Sequence, residues 1–171
     1  MKVFHAQSQL KQHLQAFLQA KQTIGLVPTM GAIHKGHLSL LEQAMNENDV
    51  VVMSIFVNPT QFNNSEDLAK YPRTLEKDLE LIEALSDKII VYAPTVDDIY
   101  EGNTVAQNFD YDGLDNEMEG SNRPGHFNGV GTIVKKLFQI TQPTKAYFGE
   151  KDFQQLQIIR KMVEKSNMNI D

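Results

Sequence analysis

The sequence contains no cysteine, no tryptophan and only 6 prolines in 171 residues. Without cysteine it can build neither a disulfide framework nor a cysteine-ligated metal site, and a reducing compartment is favoured. No stretch approaches the roughly 18–20 apolar residues of a membrane span, and the amino terminus lacks the apolar core of a signal peptide. Acidic residues outnumber basic ones, 22 to 16, so a nucleic-acid-binding surface is not expected. These absences predict a cytoplasmic protein with no membrane or nucleic-acid partner.

The remaining composition, 41% apolar and 22% charged, is ordinary for one globular α/β domain. Apolar runs predict strands at 24–27, 49–57, 89–92 and 145–148, and amphipathic spacing predicts helices at 8–22, 37–48, 74–85, 129–141 and 153–165. Between them, 58–72 is predicted to be a polar loop, and 102–125 an irregular, acidic excursion from the core. Strands that alternate with helices in this way predict right-handed βαβ units and a parallel sheet.

The segment Pro28–His37, with sequence Pro-Thr-Met-Gly-Ala-Ile-His-Lys-Gly-His, is the most informative in the chain. It joins the first predicted strand to the following helix and places His34 and His37 in that helix's first turn. Backbone amides at a helix start are expected to point outward unpaired, and together with the helix dipole they suit a phosphate. Two imidazoles there can donate hydrogen bonds to a phosphate that gains charge in a transition state. The pattern therefore favours attack on the α-phosphate of a nucleotide.

Two other interpretations of the histidine pair stay open from the residues alone. His-x-x-His is also half of a metal site, although only His5, His13 and His126 remain as further imidazoles. The pair could equally be surface histidines at a helix start, because short motifs match by chance. Its position between a strand and a helix favours the functional interpretation.

Two further polar loops follow predicted strands, and the carboxyl ends of parallel strands are where such sheets bind ligands. Asn58 and Gln61 offer amide donors and acceptors to a small substrate with hydroxyl and carboxylate groups, or form an ordinary Asn-Pro turn. In Gly149–Asp152, Lys151 could pair with a triphosphate and Asp152 with a magnesium-bound water or a ribose. The alternative there is a turn with solvated charges. Gln155, just beyond, could hydrogen-bond a hydroxyl or carboxylate ligand.

Together these motifs resemble the pantoate–β-alanine ligase (pantothenate synthetase) family, in the family's order and over essentially the whole chain. The resembling segments are 27–38, 55–62, 71–74, 123–130 and 148–156. The His-x-Gly-His signature alone indicates only the wider HIGH-motif nucleotidyltransferase superfamily. The fold that the resemblance implies is a Rossmann-like parallel sheet of that superfamily, with residues 1–171 as the nucleotide- and pantoate-binding domain.

The resemblance implies a two-step ligase that joins (R)-pantoate to β-alanine. ATP and pantoate first give pantoyl adenylate and pyrophosphate, and the amine of β-alanine then displaces AMP. The implied catalytic residues are His34, His37 and Lys151, with His37 as proton donor. The implied ATP-binding residues are Met30, Gly31, Ala32, Ile33, His34, Lys35, Gly36, His37, Gly149, Glu150, Lys151 and Asp152. Gln61, Gln155 and Asn58 are assigned to pantoate, and Gln61 also to β-alanine.

The family also uses magnesium, for which Asp78 and Asp152 are the candidate ligands here, and it is usually a homodimer. It continues into a carboxyl-terminal lid domain that closes over the ATP phosphates and that this sequence does not contain. We therefore expect substrate binding to persist and adenylation to be severely weakened in this chain alone. The alternatives are another HIGH-motif nucleotidyltransferase, which would leave an adenylylated product, and a non-catalytic, dimerising substrate-binding module.

Overall fold

Five parallel strands form one sheet in the computed structural model, which describes residues 1–114, 125–149 and 153–171. The sheet order is β1-β4-β3-β2-β5. In chain order the strands are β1 (Lys2–Phe4), β2 (Ile24–Thr29), β3 (Val50–Ile55), β4 (Ile90–Tyr92) and β5 (Lys145–Ala146). The predicted α/β class and parallel sheet are confirmed. The edge strand β1 was not predicted, because three residues are too few to show a period.

Helices connect the strands and cover both faces of the sheet. They are α1 (Gln7–Gln19), α2 (Lys35–Glu47), α3 (Ser65–Lys70), α4 (Leu75–Leu85), α5 (Val96–Tyr100), α6 (His126–Thr141) and α7 (Phe153–Lys165). None of the helices within the described residues is long and apolar enough to cross a membrane.

The segment predicted to be a polar loop, 58–72, instead contains a 3-10 turn at Pro59–Gln61 and helix α3. Asparagine side chains begin both elements: Asn58 accepts a hydrogen bond from the Thr60 amide, and Asn64 accepts one from the Glu66 amide at 2.8 Å. Asparagine is common in loops and is also a preferred helix N-cap. The prediction of an unstructured loop was therefore wrong.

The described part of the segment predicted to leave the core, 102–114, is irregular but packs on α6. The Gln107 amide donates to Thr132 Oγ1 at 2.7 Å, and the Tyr111 hydroxyl donates to the Phe127 carbonyl at 2.8 Å. Tyr111 is only 1% exposed. The excursion expected from the glycine and asparagine content is therefore not observed up to residue 114, because aromatic side chains attach the segment to the helix.

Both faces of the sheet are apolar, as expected for central parallel strands. Along β3, Val50 and Val52 belong to the core under α1, α6 and α7, whereas Val51 and Met53 belong to the core under α2 and α4. Because helices cover both faces, the ends of the strands are the accessible part of the sheet.

The chain order places a topological switch point between β2 and β5. From β2 the chain proceeds to its neighbours β3 and β4 on one side, and then crosses to β5 on the other side of β2. Ligands of open α/β sheets bind at such a point, outside the carboxyl ends of the strands. The loops after β2, β3 and β5 all leave from this edge because the strands are parallel.

Candidate active site at the carboxyl edge of the sheet

The turn between β2 and α2 has an unusual backbone held by a distant carboxylate. Gly31 and Ala32 both have positive φ, 87° and 54°. The carboxylate of Asp78, in α4, accepts hydrogen bonds from the Ala32 amide at 3.0 Å and the Ile33 amide at 2.9 Å. A side chain on Gly31 would lie 3.2 Å from Asp78 Oδ2, so glycine suits both the conformation and the space. Asp78 therefore holds the turn in a conformation that alanine adopts only at some cost.

The contacts of Asp78 are those of a structural anchor rather than of an open metal ligand. It is 2% exposed, and Oδ1 also accepts from the Thr74 hydroxyl at 3.1 Å, so both carboxylate oxygens have protein donors. Among the described residues no three histidine, aspartate or glutamate side chains converge in a possible metal site. The other candidate ligand, Asp152, lies outside the described residues.

His34 and His37 form a reciprocal capping box at the start of α2. His34 is the N-cap residue, and its Nδ1 accepts from the Gly36 amide at 3.0 Å, while His37 Nδ1 accepts from the His34 amide at 3.1 Å. Their ring centroids are 4.1 Å apart. The expectation that the amides here are unpaired is therefore wrong for His34 and Gly36, because the imidazoles themselves satisfy these donors.

The capping box determines which nitrogen of each ring carries the proton. A nitrogen that accepts from an amide has no proton, so each neutral ring carries its proton on Nε2. Burial, followed by the neighbouring His34, lowers the pKa of His37 below its ordinary value of 6.5, while Asp78 acts in the opposite direction. Near neutral pH the pair therefore offers two Nε2–H donors at a helix start, which suits an anion.

Glycine between the two histidines is required by this geometry. A side chain on Gly36 would lie 2.8 Å from His34 Cε1 and 3.1 Å from His34 Nδ1. Any larger residue would therefore displace the imidazole from the amide that it caps. The His-x-Gly-His spacing thus has a local structural reason apart from any ligand.

The loop after β3 is organised around Asn58, whose side chain is 1% exposed. Its Nδ2 donates to Gln61 Oε1 at 3.1 Å and to the Gly129 carbonyl at 3.0 Å. Its Oδ1 accepts from the Tyr100 hydroxyl and from the Thr60 hydroxyl. Asn58 therefore positions its neighbours, and the assignment of Asn58 to pantoate stays a prediction.

Helix α6 approaches the same loop unusually closely. A side chain on Gly129 would lie 2.5 Å from the Thr60 carbonyl oxygen and 2.6 Å from the Gln61 nitrogen. His126, the first residue of α6, places Nδ1 2.9 Å from the Gln61 carbonyl oxygen. The backbone of the Gln61 turn is therefore held by the start of α6.

The structure places the other predicted site residues as follows. Met30 precedes the positive-φ turn, Lys35 is the first residue of α2, and Gly149 follows β5 on the same edge of the sheet. Gln155 is half-buried in the first turn of α7, which packs on α6 as the Gln61 turn does. Glu150, Lys151 and Asp152 lie outside the described residues.

The sequence motifs gave no role to Tyr100, Thr60 or Gly129. Thr60 lies in the turn that carries Gln61, and Tyr100 and Gly129 contact the same loop. Gly129 lies in a quoted motif, and glycine in a helix interior is a recognisable signal of close packing. Tyr100 lies in a helix that was not predicted, and no local pattern relates it to Asn58.

Comparisons with known proteins show the family to which the chain belongs. The family model described as "Pantoate-beta-alanine ligase" matches residues 2–171. The chain is 64% identical over 169 residues to a pantothenate synthetase of Flavobacterium psychrophilum, covering 99% of this chain and 60% of that protein. A pantothenate synthetase of Christiangramia forsetii is 54% identical over 171 residues, which is 100% of this chain and 60% of the relative. The chain therefore spans about 60% of the length of these relatives.

Solved structures show the same similarity. Pantothenate synthetase from Thermus thermophilus superposes with a TM-score of 0.89 at 41% identity, over 100% of this chain and 60% of that one. Pantoate-beta-alanine ligase from Francisella tularensis, complexed with beta-gamma ATP and beta-alanine, gives a TM-score of 0.91 at 41% identity, over 100% and 66%. Since the matches to the family model and to these relatives extend over nearly the whole chain, it belongs to the pantoate–β-alanine ligase family.

Proposed function

We propose that this chain binds ATP and (R)-pantoate for the condensation of pantoate with β-alanine to pantothenate, AMP and pyrophosphate. The observation that carries the proposal is the imidazole capping box, in which both Nδ1 atoms accept from backbone amides and the two Nε2–H groups remain as donors at the start of α2. It lies at the switch point of the sheet, next to the loop with Gln61. Family membership supports the choice of substrates.

In the first step, a carboxylate oxygen of pantoate attacks the α-phosphorus of ATP. The bond from that phosphorus to the bridging oxygen breaks, and pyrophosphate leaves with the electron pair. Negative charge grows on the phosphate oxygens, so the Nε2–H groups of His34 and His37 stabilise the transition state more than the ground state. Because both rings are held by backbone amides, little reorganisation is needed during the reaction.

In the second step, the amine of β-alanine attacks the acyl carbon of pantoyl adenylate. The bond from that carbon to the AMP oxygen breaks, the amide forms, and the amine loses a proton. Neither step needs a nucleophilic side chain, so positioning must account for much of the rate. In this proposal Gln61 and Gln155 hold pantoate, Gln61 also contacts β-alanine, and Lys151 and the neighbouring 149–152 segment contact ATP.

Magnesium enters this proposal as the counter-ion of the ATP phosphates rather than as a resident metal. The described residues do not converge on a metal site, and Asp78 is engaged with backbone amides. Magnesium is commonly bound through substrate phosphates with few protein ligands. A homodimer is proposed on the strength of the family resemblance alone, and a cytoplasmic location on the sequence features described at the outset.

A calorimetric titration with (R)-pantoate tests the substrate assignment on this chain directly. We expect saturable binding tighter than about 1 mM, which corresponds to about −4 kcal/mol. A Gln61→Ala, Gln155→Ala variant should bind at least about tenfold more weakly, because a hydrogen bond to a charged group contributes about 1.5–3 kcal/mol. Gln15→Ala, on the exposed face of α1, is the matched control and should bind like the unmodified chain.

Product analysis separates the proposal from its alternatives. Formation of pyrophosphate from ATP only when pantoate is present, and of AMP only when β-alanine is also present, would support the ligase. A stable adenylylated product would instead indicate another nucleotidyltransferase. Absence of pantoate binding by the unmodified chain would refute the assignment of pantoate to this domain.

A further inference from the structure

The side-chain amide of Gln61 has a defined polarity in this structure. Its Oε1 accepts from Asn58 Nδ2 at 3.1 Å, so the oxygen end faces the protein. Its Nε2 has no hydrogen-bond partner among the described residues. A ligand at Gln61 would therefore meet two N–H donors. A carboxylate, which only accepts, suits this orientation and would be repelled by the opposite one.

The polarity of Gln61 depends on how Asn58 itself is oriented. The Gly129 carbonyl can only accept, so it requires the nitrogen end of the Asn58 amide. At the other end, the Tyr100 hydroxyl donates to Asn58 Oδ1. The Thr60 hydroxyl lies 2.7 Å from the Tyr100 oxygen and also donates to Asn58 Oδ1 at 3.1 Å. Both ends of the Asn58 amide are therefore held, and its second N–H remains for Gln61.

We propose that Tyr100 is a positioning residue that, through Asn58, presents the Gln61 amide nitrogen to the substrate carboxylate. The hydrogen bonds run from Tyr100 to Asn58 Oδ1 and from Asn58 Nδ2 to Gln61 Oε1, and these two bonds form the relay. Tyr100 is 1% exposed, and its hydroxyl contacts Asn58 and Thr60 rather than Gln61. The substrate in this inference rests on the proposed function, whereas the relay of hydrogen bonds does not.

Burial keeps the relay in its donating form. Burial raises the pKa of the Tyr100 hydroxyl above its ordinary value. The hydroxyl therefore keeps its proton across the physiological range and donates it to Asn58. The Nζ atom of Lys136, a residue of α6, lies 5.3 Å from the centre of the Tyr100 ring.

The test is Tyr100→Phe, which keeps the buried ring and removes only the hydroxyl. We expect the side-chain amide ¹H and ¹⁵N resonances of Gln61, assigned with Gln61→Ala, to shift. We expect pantoate affinity in calorimetry to fall about threefold to tenfold, as for the loss of one hydrogen bond. Affinity for ATP should be unchanged, since the relay does not touch the β2–α2 turn.

Tyr92→Phe is the matched control. Tyr92 is equally buried, and its hydroxyl donates at 2.7 Å to Asp98, which lies in the same helix as Tyr100 but bonds to Tyr92 and Gln7 rather than to the Gln61 loop. Tyr92→Phe should leave the Gln61 resonances and the pantoate affinity unchanged.

Thr60→Val replaces Tyr100→Phe if that variant proves unfolded by circular dichroism. It removes the bridging hydroxyl at a half-exposed position and should shift the same Gln61 resonances.

The outcomes separate the relay from the proposed function. Unchanged Gln61 resonances and pantoate affinity in Tyr100→Phe, or equal changes in Tyr92→Phe, would overturn the positioning role. If the unmodified chain binds no pantoate, the substrate assignment fails. The relay is then judged by the Gln61 resonances alone, and a shift specific to Tyr100→Phe would support it.

Discussion

Replacing Asp78 by asparagine changes one atom of the side chain and removes one of its two hydrogen-bond acceptors. The carboxylate of Asp78 receives the Ala32 amide on one oxygen and the Ile33 amide and Thr74 hydroxyl on the other. Whichever way the new amide turns, its NH₂ group faces a backbone N–H that can only donate. The turn between β2 and α2 must then lose a hydrogen bond or change its conformation.

The expected cost follows from the burial of this contact. Asp78 is 2% exposed, and a hydrogen bond to a charged group contributes about 1.5–3 kcal/mol. We therefore expect Asp78→Asn to lower the free energy of unfolding by about 2–3 kcal/mol. For a chain of this length that corresponds to a fall in Tm of about 4–12 °C. A typical domain is stable by about 5–15 kcal/mol, so the variant should still fold.

The nucleotide site should lose affinity in the same variant. Asp78 holds the amides of Ala32 and Ile33, immediately before the His34 cap. A shift of this turn would misplace the imidazole pair, so we expect ATP affinity to fall about fivefold or more, or roughly 1 kcal/mol. Urea unfolding followed by far-UV circular dichroism measures the stability, because the chain has no tryptophan for fluorescence. Calorimetry measures ATP binding.

Glu76→Gln provides the matched control. Glu76 is exposed and lies in the same first turn of α4 as Asp78, so its replacement by glutamine removes the same charge from the helix start. It should cost only a few tenths of a kcal/mol, up to about 1 kcal/mol, through the helix dipole. Equal losses of stability in the two variants, or an Asp78→Asn variant with normal stability and ATP affinity, would show that the carboxylate does not hold the turn.

Two further predictions concern α6 and His37. Gly129→Ala should destabilise the fold by about 1–3 kcal/mol and weaken pantoate binding, because the methyl group meets the backbone of Thr60 and Gln61; normal urea unfolding would contradict this. The pKa of His37 is lowered from 6.5, so the unfolded chain takes up this proton first, and the free energy of unfolding should fall as pH drops below 6.5. An NMR titration that places the pKa of His37 at or above 6.5 would contradict this prediction. The variant His37→Gln should make the free energy of unfolding less dependent on pH.

Much of the architecture could be predicted from the sequence because it depends on local patterns. The near-continuous apolar character of 49–57 predicted a strand buried on both faces, within which β3 spans Val50–Ile55. The amphipathic spacing of 153–165 matched α7 at both ends. Alternation of such segments was enough for the parallel sheet. Short elements failed: β1, α3 and α5 have three, six and five residues, too few for a period to be visible.

The position of the candidate site was also predictable, since glycine-rich and histidine-bearing turns directly follow apolar runs. The parallel sheet then places these turns at one edge. How the histidines are used was not predictable in the same way. The expectation of free amides at the start of α2 was wrong because each imidazole turns back onto the backbone, which Gly36 permits.

The sequence by itself therefore determined the order of elements, the sheet class and the loops that carry polar groups. Only the tertiary structure decided which residues support those groups. Asp78 is 45 positions from Ile33, Tyr100 is 42 from Asn58, and Gly129 is 71 from Asn58. Periodicity reports contacts within a few residues along one helix or strand, whereas these hydrogen bonds exist only because separate elements pack together around one buried amide and one buried carboxylate.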